Sequence, residues 1–161
     1  RYGLNEPLFR FWFRYVYGQE NKLAQLGDDA FEELIAPSFS DYMGQMFEIV
    51  CQNALPSLIP KTYHGIGYWW YKHHELDVVG LASDGTLVAG ECKYTTRKMN
   101  EGDLADLERS AAQVDWTPPE GGKPTYHYCC FARSGFSDGL QAVAEERSDV
   151  SLFTPNDIVK E

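Results

Sequence analysis

Four ionisable side chains, Glu75, Asp77, Glu91 and Lys93, lie close enough in this sequence to share one chemistry. They belong to the stretch 75–94, E-L-D-V-V-G-L-A-S-D-G-T-L-V-A-G-E-C-K-Y. It reads as two strands around the turn signal Asp84-Gly85. Two registers are open. A two-residue loop, Asp84-Gly85, pairs Ser83 with Thr86 and sets Asp77 opposite Cys92. A three-residue loop pairs Ala82 with Thr86, with Ser83 and Asp84 as a type I turn and Gly85 in the left-handed position. That register sets Asp77 opposite Glu91 and Glu75 opposite Lys93, with Cβ atoms about 4.5–5.5 Å apart. All four then stand on one face of a hairpin whose other face is apolar, with Leu76, Val78, Val88 and Cys92.

Two opposed carboxylates repel, and a divalent cation removes the repulsion. Mg²⁺ takes one or two carboxylates together with water and phosphate oxygens. Asp77 and Glu91 supply carboxylates, and the backbone carbonyl of Cys92 supplies a third ligand. Lys93 beside them would hold an attacking water and offset the charge of a phosphorane-like transition state. The same alternation also describes an ordinary solvated hairpin face, with Glu75 and Lys93 as a plain cross-strand ion pair. Spacing alone does not choose between them.

Six pieces in order extend the pattern: L-N-E-P-L-F-R-F-W-F-R-Y at the start, G-Q-M-F-E at 44–48, I-G-Y-W-W at 66–70, E-L-D-V-V at 75–79, G-E-C-K-Y at 90–94 and F-A-R-S-G-F at 131–136. D-x(13)-E-x-K with a Glu on a preceding helix resembles the PD-(D/E)XK nuclease superfamily. The six pieces resemble, more narrowly, the C-terminal domain of archaeal-type, AAA-like P-loop ATPases, over essentially the whole chain. The resemblance implies a restriction-endonuclease-like fold and a nuclease that hydrolyses phosphodiester bonds with Mg²⁺ (or Mn²⁺). Its implied catalytic set is Glu48, Asp77, Glu91 and Lys93. The implied metal ligands are Asp77, Glu91, Glu48 and the Cys92 carbonyl. The implied partners are nucleic acid, DNA foremost, and an N-terminal P-loop ATPase portion of the same cytoplasmic chain. Leu76 stands where the superfamily has Pro. Glu48 lies about 140° from the centre of its helix's apolar stripe, so it also reads as a solvated glutamate. The alternative function is a catalytically silent docking or regulatory domain of that ATPase.

The elements that must position these groups follow from patterning. A helix over 5–17 has Asn5 as its cap, Glu6 and Pro7 in its first turn, and Phe9, Trp12, Phe13 and Val16 as its stripe. Phe11, Tyr15 and Tyr17 fall outside the stripe, so the helix is expected to be buried on two sides and to mediate self-association or ATPase docking. A polar link (18–27) precedes a short helix that starts at Asp28 or Asp29 and is closed by Pro37. A longer helix runs from Ser40 or Asp41 to about Ala54, ended by Pro56 and Pro60. Strands are expected near 65–70, 75–82, 86–94, 125–132 and 150–153. Helices are expected from Asn100 or Asp103, with Leu104, Leu107, Ala111 and Val114 inward, and over 138–147 after Ser137. Thr154, Pro155 and Asp157 form a last capping signature. The order gives an α/β fold, a central mixed sheet of about five strands flanked by helices and preceded by an aromatic helix. Residues 1–36 read as an N-terminal helical segment and 37–161 as the nuclease-like domain.

Composition sets the outer bounds. The 161 residues carry a formal net charge of −10. Such a body would repel DNA over most of its surface, leaving room for a small basic site only. No apolar run approaches the roughly 20 residues of a membrane span. Four cysteines without a C-x-x-C pair suit a reduced, cytoplasmic protein. The chain starts at Arg1, which suggests a piece of a longer protein, and it lacks the G-x-x-x-x-G-K-[ST] of an ATPase. Weaker candidates are Thr95, Thr96, Arg97 and Lys98 as phosphate contacts, Arg10 and Arg14 on the first helix, and Gln113 on the helix after Asn100. His73 and His74 with Cys92 fit no zinc spacing. Tyr68, Trp69, Trp70 and Tyr71 read as a core strand in preference to a base-stacking surface.

Overall fold

The computed structural model describes residues 7–158, so the expected cap Asn5 and its neighbour Glu6 lie outside the described residues. The chain divides into two units, Arg1–Ile49 and Val50–Glu161. No described helix is long and apolar enough to cross a membrane.

The first unit is helical, with α1 (Pro7–Tyr15), α2 (Glu20–Leu26) and the first half of α3 (Ala36–Leu58). Its core is Tyr15, Tyr42 and Met46, against which Phe11, Val16, Ile35, Phe39 and Met43 pack. Burial departs from the expected stripe: Val16 packs against this core, but Phe9, Trp12 and Phe13 do not share its burial. Phe11 and Tyr15 face inward, whereas Leu8, Phe9, Trp12 and Phe13 are exposed. Polar tips decide the orientation: Tyr15 donates from its hydroxyl to Ser38 O at 3.0 Å, and Tyr42 donates to Pro7 O at 2.8 Å. A tyrosine buried this way satisfies its hydroxyl, which an exposed phenylalanine does not require.

The expected polar link is largely α2, and Pro37 does not close a helix. A 3₁₀ turn (Gly27–Asp29) and one π turn (Phe31–Ile35) lead directly into α3. Pro37 sits in the first turn of α3, where a missing N–H is tolerated. The path widens just before it, with Ala36 N–H reaching back to Phe31 O. Pro56 falls within the last turn of α3, two residues before its end. The helix is therefore longer at both ends than its prolines suggested.

The second unit is a five-stranded mixed sheet in the order β1 (Tyr63–Tyr71), β2 (His74–Ala82), β3 (Thr86–Lys93), β4 (Thr125–Ala132), β5 (Val150–Phe153). The first two pairings are antiparallel and the last two parallel. Parallel neighbours need crossovers. These are α4 (Glu101–Ala111) and α5 (Asp138–Glu146), with α6 (Pro155–Ile158) closing the described chain. The caps are the expected ones: Asn100 forms a full capping box with Asp103, and Ser137 Oγ accepts from Leu140 N–H. Each such cap contributes roughly 1 kcal/mol.

Leu76, Val79, Leu87, Ala89, Cys130 and Ala132 form the sheet side of the core beneath α4 and α5, which supply Leu104, Leu107, Ala111 and Leu140. Leu76 thus faces α4 and does not share a face with Val78. On the opposite face the C-terminal half of α3 lays Leu55 over Gly80. A Cβ there would come within 2.8 Å of Leu55 Cδ2, so the approach requires glycine. Full burial of one such leucine stabilises by about 1.5–3 kcal/mol.

Candidate active site

The β2–β3 turn fixes the register. Gly85 N–H donates to Ala82 O at 3.1 Å, and Gly85 takes φ +83°. The pairs Leu81↔Leu87, Gly80↔Val88, Val79↔Ala89 and Val78↔Gly90 follow, which is the three-residue-loop register. One residue further on, that register brings Asp77 to the level of Glu91. Gly90 is required here, because a Cβ would stand 2.9 Å from Val78 Cβ and 3.0 Å from Phe131 Cε2.

β2 is irregular at the same point. Its pairing with β1 passes from Gly67↔Val79 to Trp69↔Leu76, so Asp77 and Val78 together oppose Tyr68. Such a bulge breaks the ladder and re-aims a side chain. Asp77 Oδ2 accepts a hydrogen bond from Cys92 N–H at 2.8 Å. On its other side Gln52, from α3, donates through Nε2 to Asp77 O at 2.7 Å. The aspartate is thus held through its main chain and its side chain by two elements. Gln52 went unnoticed in the sequence, since no local pattern links it to residue 77.

β3 presents the remaining groups. Glu91 and Lys93 share the sheet face of Leu87 and Ala89, by strand alternation. Lys93 Nζ donates to Glu91 Oε1, and both side chains are partly buried. Burial pulls the Lys93 pKa down, but the Glu91 hydrogen bond and the charges of Glu91, Asp77 and Asp103 more than offset it and raise it above 10.5. The lysine therefore stays an ammonium. It pairs within its own strand and not across to Glu75, which is exposed beside Trp70 on β2.

The carbonyl of Cys92 also points toward Asp77. Lys93 O accepts from Arg133 N–H at 3.0 Å, so residue 93 directs its main chain toward β4. Its neighbour Cys92 directs both N–H and C=O the other way, toward β2. Two carboxylates and one carbonyl, all hard oxygens, are what Asp77, Glu91 and Cys92 could offer a metal ion. They fit a divalent cation that retains several waters. Among the described residues no three His, Cys, Asp or Glu side chains converge as a metal-holding group. Glu48 lies on α3, in the first unit.

The other sequence candidates separate from this centre. Arg97 forks onto both oxygens of Asp103, at 2.8 Å each, so its charge is already matched. The Arg97 hydrogen bond, opposed by partial burial, sets the Asp103 pKa below the usual carboxylate range. Asp103 is nevertheless part of the Lys93 environment, a role hidden behind its place in a capping box. Thr95, Thr96 and Lys98 are exposed. Gln113 lies in the turn after α4, exposed, and not on the helix. His73 is exposed at the β1–β2 turn, and His74 Nδ1 lies 3.3 Å from Ser110 Oγ. Arg14 is exposed, its guanidinium 5.5 Å from the Tyr15 ring centre.

Comparison with known proteins adds three findings. No curated protein matches the sequence. A crystal structure of a repair endonuclease from Pyrococcus abyssi is similar at 18% identity and a TM-score of 0.45, covering 70% of this chain. The match takes in 46% of that endonuclease, so the chain spans less than half its length. A family model described as "Archaea bacterial proteins of unknown function" (DUF234) matches residues 12–104, more than half of the chain and all of β2 and β3. The chain belongs to this family.

Proposed function

We propose that the second unit is a divalent-cation-dependent nuclease domain of the PD-(D/E)XK type, acting on phosphodiester bonds of nucleic acid. One observation carries the reading: the β2–β3 ladder opens at Asp77, and at that opening Lys93 is bonded to Glu91 within the field of Asp77. In a hairpin selected for stability alone, the bulge and the clustered carboxylates would both be costs.

Asp77, Glu91 and the Cys92 carbonyl would hold Mg²⁺ or Mn²⁺, which when bound supplies Lewis acidity toward a phosphate oxygen. Lys93 remains protonated at neutral pH, so it cannot take a proton from water. It acts as fixed positive charge, orienting the attacking water and offsetting charge that develops on the phosphoryl oxygens. Glu91 keeps that ammonium in place, and Gln52 holds the backbone from which Asp77 projects. Removing the Lys93 charge should lower cleavage about 100-fold or more.

The test is calorimetric titration of the chelator-treated chain with Mn²⁺, beside Asp77→Ala, followed by a cleavage assay with Lys93→Ala. Mn²⁺ binding that disappears in Asp77→Ala, with cleavage lost in Lys93→Ala, is expected. Binding that survives Asp77→Ala, or cleavage indifferent to Lys93→Ala, would overturn the assignment.

A second reading, docking onto a P-loop ATPase portion or onto another copy, is favoured by one feature. Leu8, Phe9, Trp12, Phe13 and Tyr17 are all exposed in the first unit. Sedimentation of the chain beside Trp12→Asp tests it. Association that Trp12→Asp abolishes supports docking, and a monomer in both cases removes it.

A further inference from the structure

The aromatic run before the site is not a core strand. β1 is the edge of the sheet, paired only with β2. Its backbone directions follow from the turn that ends it. Tyr71 and His74 close a two-residue turn over Lys72 and His73, so Tyr71 directs its N–H and C=O toward β2. Alternation directs those of Gly67 and Trp69 the same way, and those of Ile66, Tyr68 and Trp70 outward. Among the described residues, no hydrogen bond reaches these outward groups. The side chains of the same three residues share one face and are exposed, Tyr68 by 59% and Trp70 by 69%. Trp69, on the other face, packs against the core beneath α4.

A free edge is ordinarily guarded by lysine, proline or a charge directed at it. Residues 62–71, T-Y-H-G-I-G-Y-W-W-Y, contain no Lys, Arg, Asp, Glu or Pro. Lys61 and Lys72 flank the stretch, and Lys61 is paired with Asp84. Two features name the occupant of such an edge. The first is self-complementarity. The outward residues are symmetric about Tyr68, so antiparallel pairing of β1 with its own equivalent sets the two Tyr68 residues opposite each other. Ile66 of each copy then lies opposite Trp70 of the other, as an isologous contact requires. The second is charge. Each copy carries a net −10, and β1 lets two such bodies meet along a stretch that holds no carboxylate. Glu75, exposed on the same face beside Trp70, belongs to β2 and lies on the side of Trp70 away from the seam.

We propose that two copies of this chain join through β1, antiparallel and edge to edge, with the two-fold axis at Tyr68. Two five-stranded sheets then become one continuous sheet. Main-chain hydrogen bonds of Ile66, Tyr68 and Trp70 form the seam, as in strand addition to any open edge. Directly opposed residues of an antiparallel pair share a face, so the exposed side chains of both copies cover one another along it. The seam is separate from the exposed aromatic residues of α1, and it stands whether or not the second unit is a nuclease.

The experiment is sedimentation equilibrium of the whole chain across the micromolar range, beside Tyr68→Lys, Tyr68→Glu, an equal mixture of those two, and Trp12→Asp. Circular dichroism checks that each variant is folded, which the exposure of Tyr68 favours. A concentration-dependent wild-type dimer is expected, weakened about tenfold or more by either charge, because like charges would face each other across the axis. The mixture should recover association, since a lysine then faces a glutamate. Loss of apolar surface alone would give no such recovery. Trp12→Asp should leave the dimer intact. Amide exchange at Ile66, Tyr68 and Trp70 should slow as concentration rises, while Gly67 and Trp69, already directed at β2, change little. A monomer throughout, or a dimer indifferent to both charges, overturns the proposal. A dimer lost in Trp12→Asp and kept in Tyr68→Lys assigns association to α1 and also overturns it. A mixture that stays monomeric, with both variants folded, overturns the two-fold pairing at Tyr68.

Discussion

The two ends of the β2–β3 hairpin use acidic residues in opposite ways. At the turn, Asp84 Oδ1 accepts from Thr86 N–H at 3.0 Å and Oδ2 from Lys61 Nζ at 2.6 Å. Its carboxyl is lowered to about 2, first by the Lys61 hydrogen bond and then by those of Thr86. Its one negative charge meets one positive charge, and the ladder beside it is closed. At the other end the ladder opens, and Asp77, Glu91 and Asp103 stand around Lys93 and Arg97. Three carboxylates there meet two cations, within a bulge and beneath an obligatory glycine. A turn that only reverses the chain balances its charge locally. The open end keeps an excess of negative oxygen, which the proposed cation would offset.

The comparison can be broken first at Gly90. Gly90→Val would drive Val78 and Phe131 apart and is expected to destabilise by about 3 kcal/mol, read from the urea midpoint. A loss no larger than that of an ordinary strand glycine would show that the opening needs no close approach. Next, Lys93→Met leaves Glu91 and Asp77 facing each other, and should cost about 1–2 kcal/mol without metal. Millimolar Mn²⁺ should restore most of that in a thermal melt. Failure of Mn²⁺ to raise the melting temperature would place the excess charge outside any cation site.

Asp77→Ala removes the acceptor from Cys92 N–H in a half-buried position and should cost about 1 kcal/mol. Asp77→Asn keeps an acceptor oxygen and should be close to neutral in chelator. The smallest effect belongs to the balanced end. The lowered Asp84 pKa means that its stabilisation is full above the ordinary value of 3.8 and is lost as pH falls toward about 2. Because Asp84 is exposed, the contribution is about 0.5 kcal/mol, seen as the difference between wild type and Asp84→Asn at pH 6 and its disappearance near pH 2. Lys93 has the opposite sign: its pKa is raised, so its contribution holds below 10.5 and is lost only above the folded-state value. Cleavage should accordingly show no falling limb from this residue between pH 7 and 10.

Much of this arrangement was legible because local chemistry specifies it. Gly85 after Ser83-Asp84 selects one of two registers, and that choice alone brings Asp77 level with Glu91. The Asn100–Asp103 and Ser137 caps were equally plain. What escaped depends on strand order or on distant chain. An edge strand and a central strand look alike in Tyr-Trp-Trp-Tyr, so the sequence does not show that Tyr68 and Trp70 are exposed. Gln52 reaches residue 77 from another element. Periodicity does not show the inward face of α1, because it treats Phe and Tyr as equally apolar, whereas the Tyr15 hydroxyl finds its acceptor at Ser38 O. Pro37 looks like a terminator in the sequence, although the first turn of a helix accepts it.

The cysteines give this chain a native handle for labelling. Cys51, Cys129 and Cys130 are wholly buried, whereas Cys92 is partly exposed. Desolvation raises the thiols of Cys129 and Cys130, the latter to about 12, so neither offers a thiolate near neutral pH. A maleimide should therefore modify the folded protein with a stoichiometry approaching one, at Cys92. That residue is the hydrogen-bond neighbour of Asp77. Its alkylation rate reads the opening of the hairpin end directly, and a fluorophore placed there would report events at the site without altering any carboxylate or lysine.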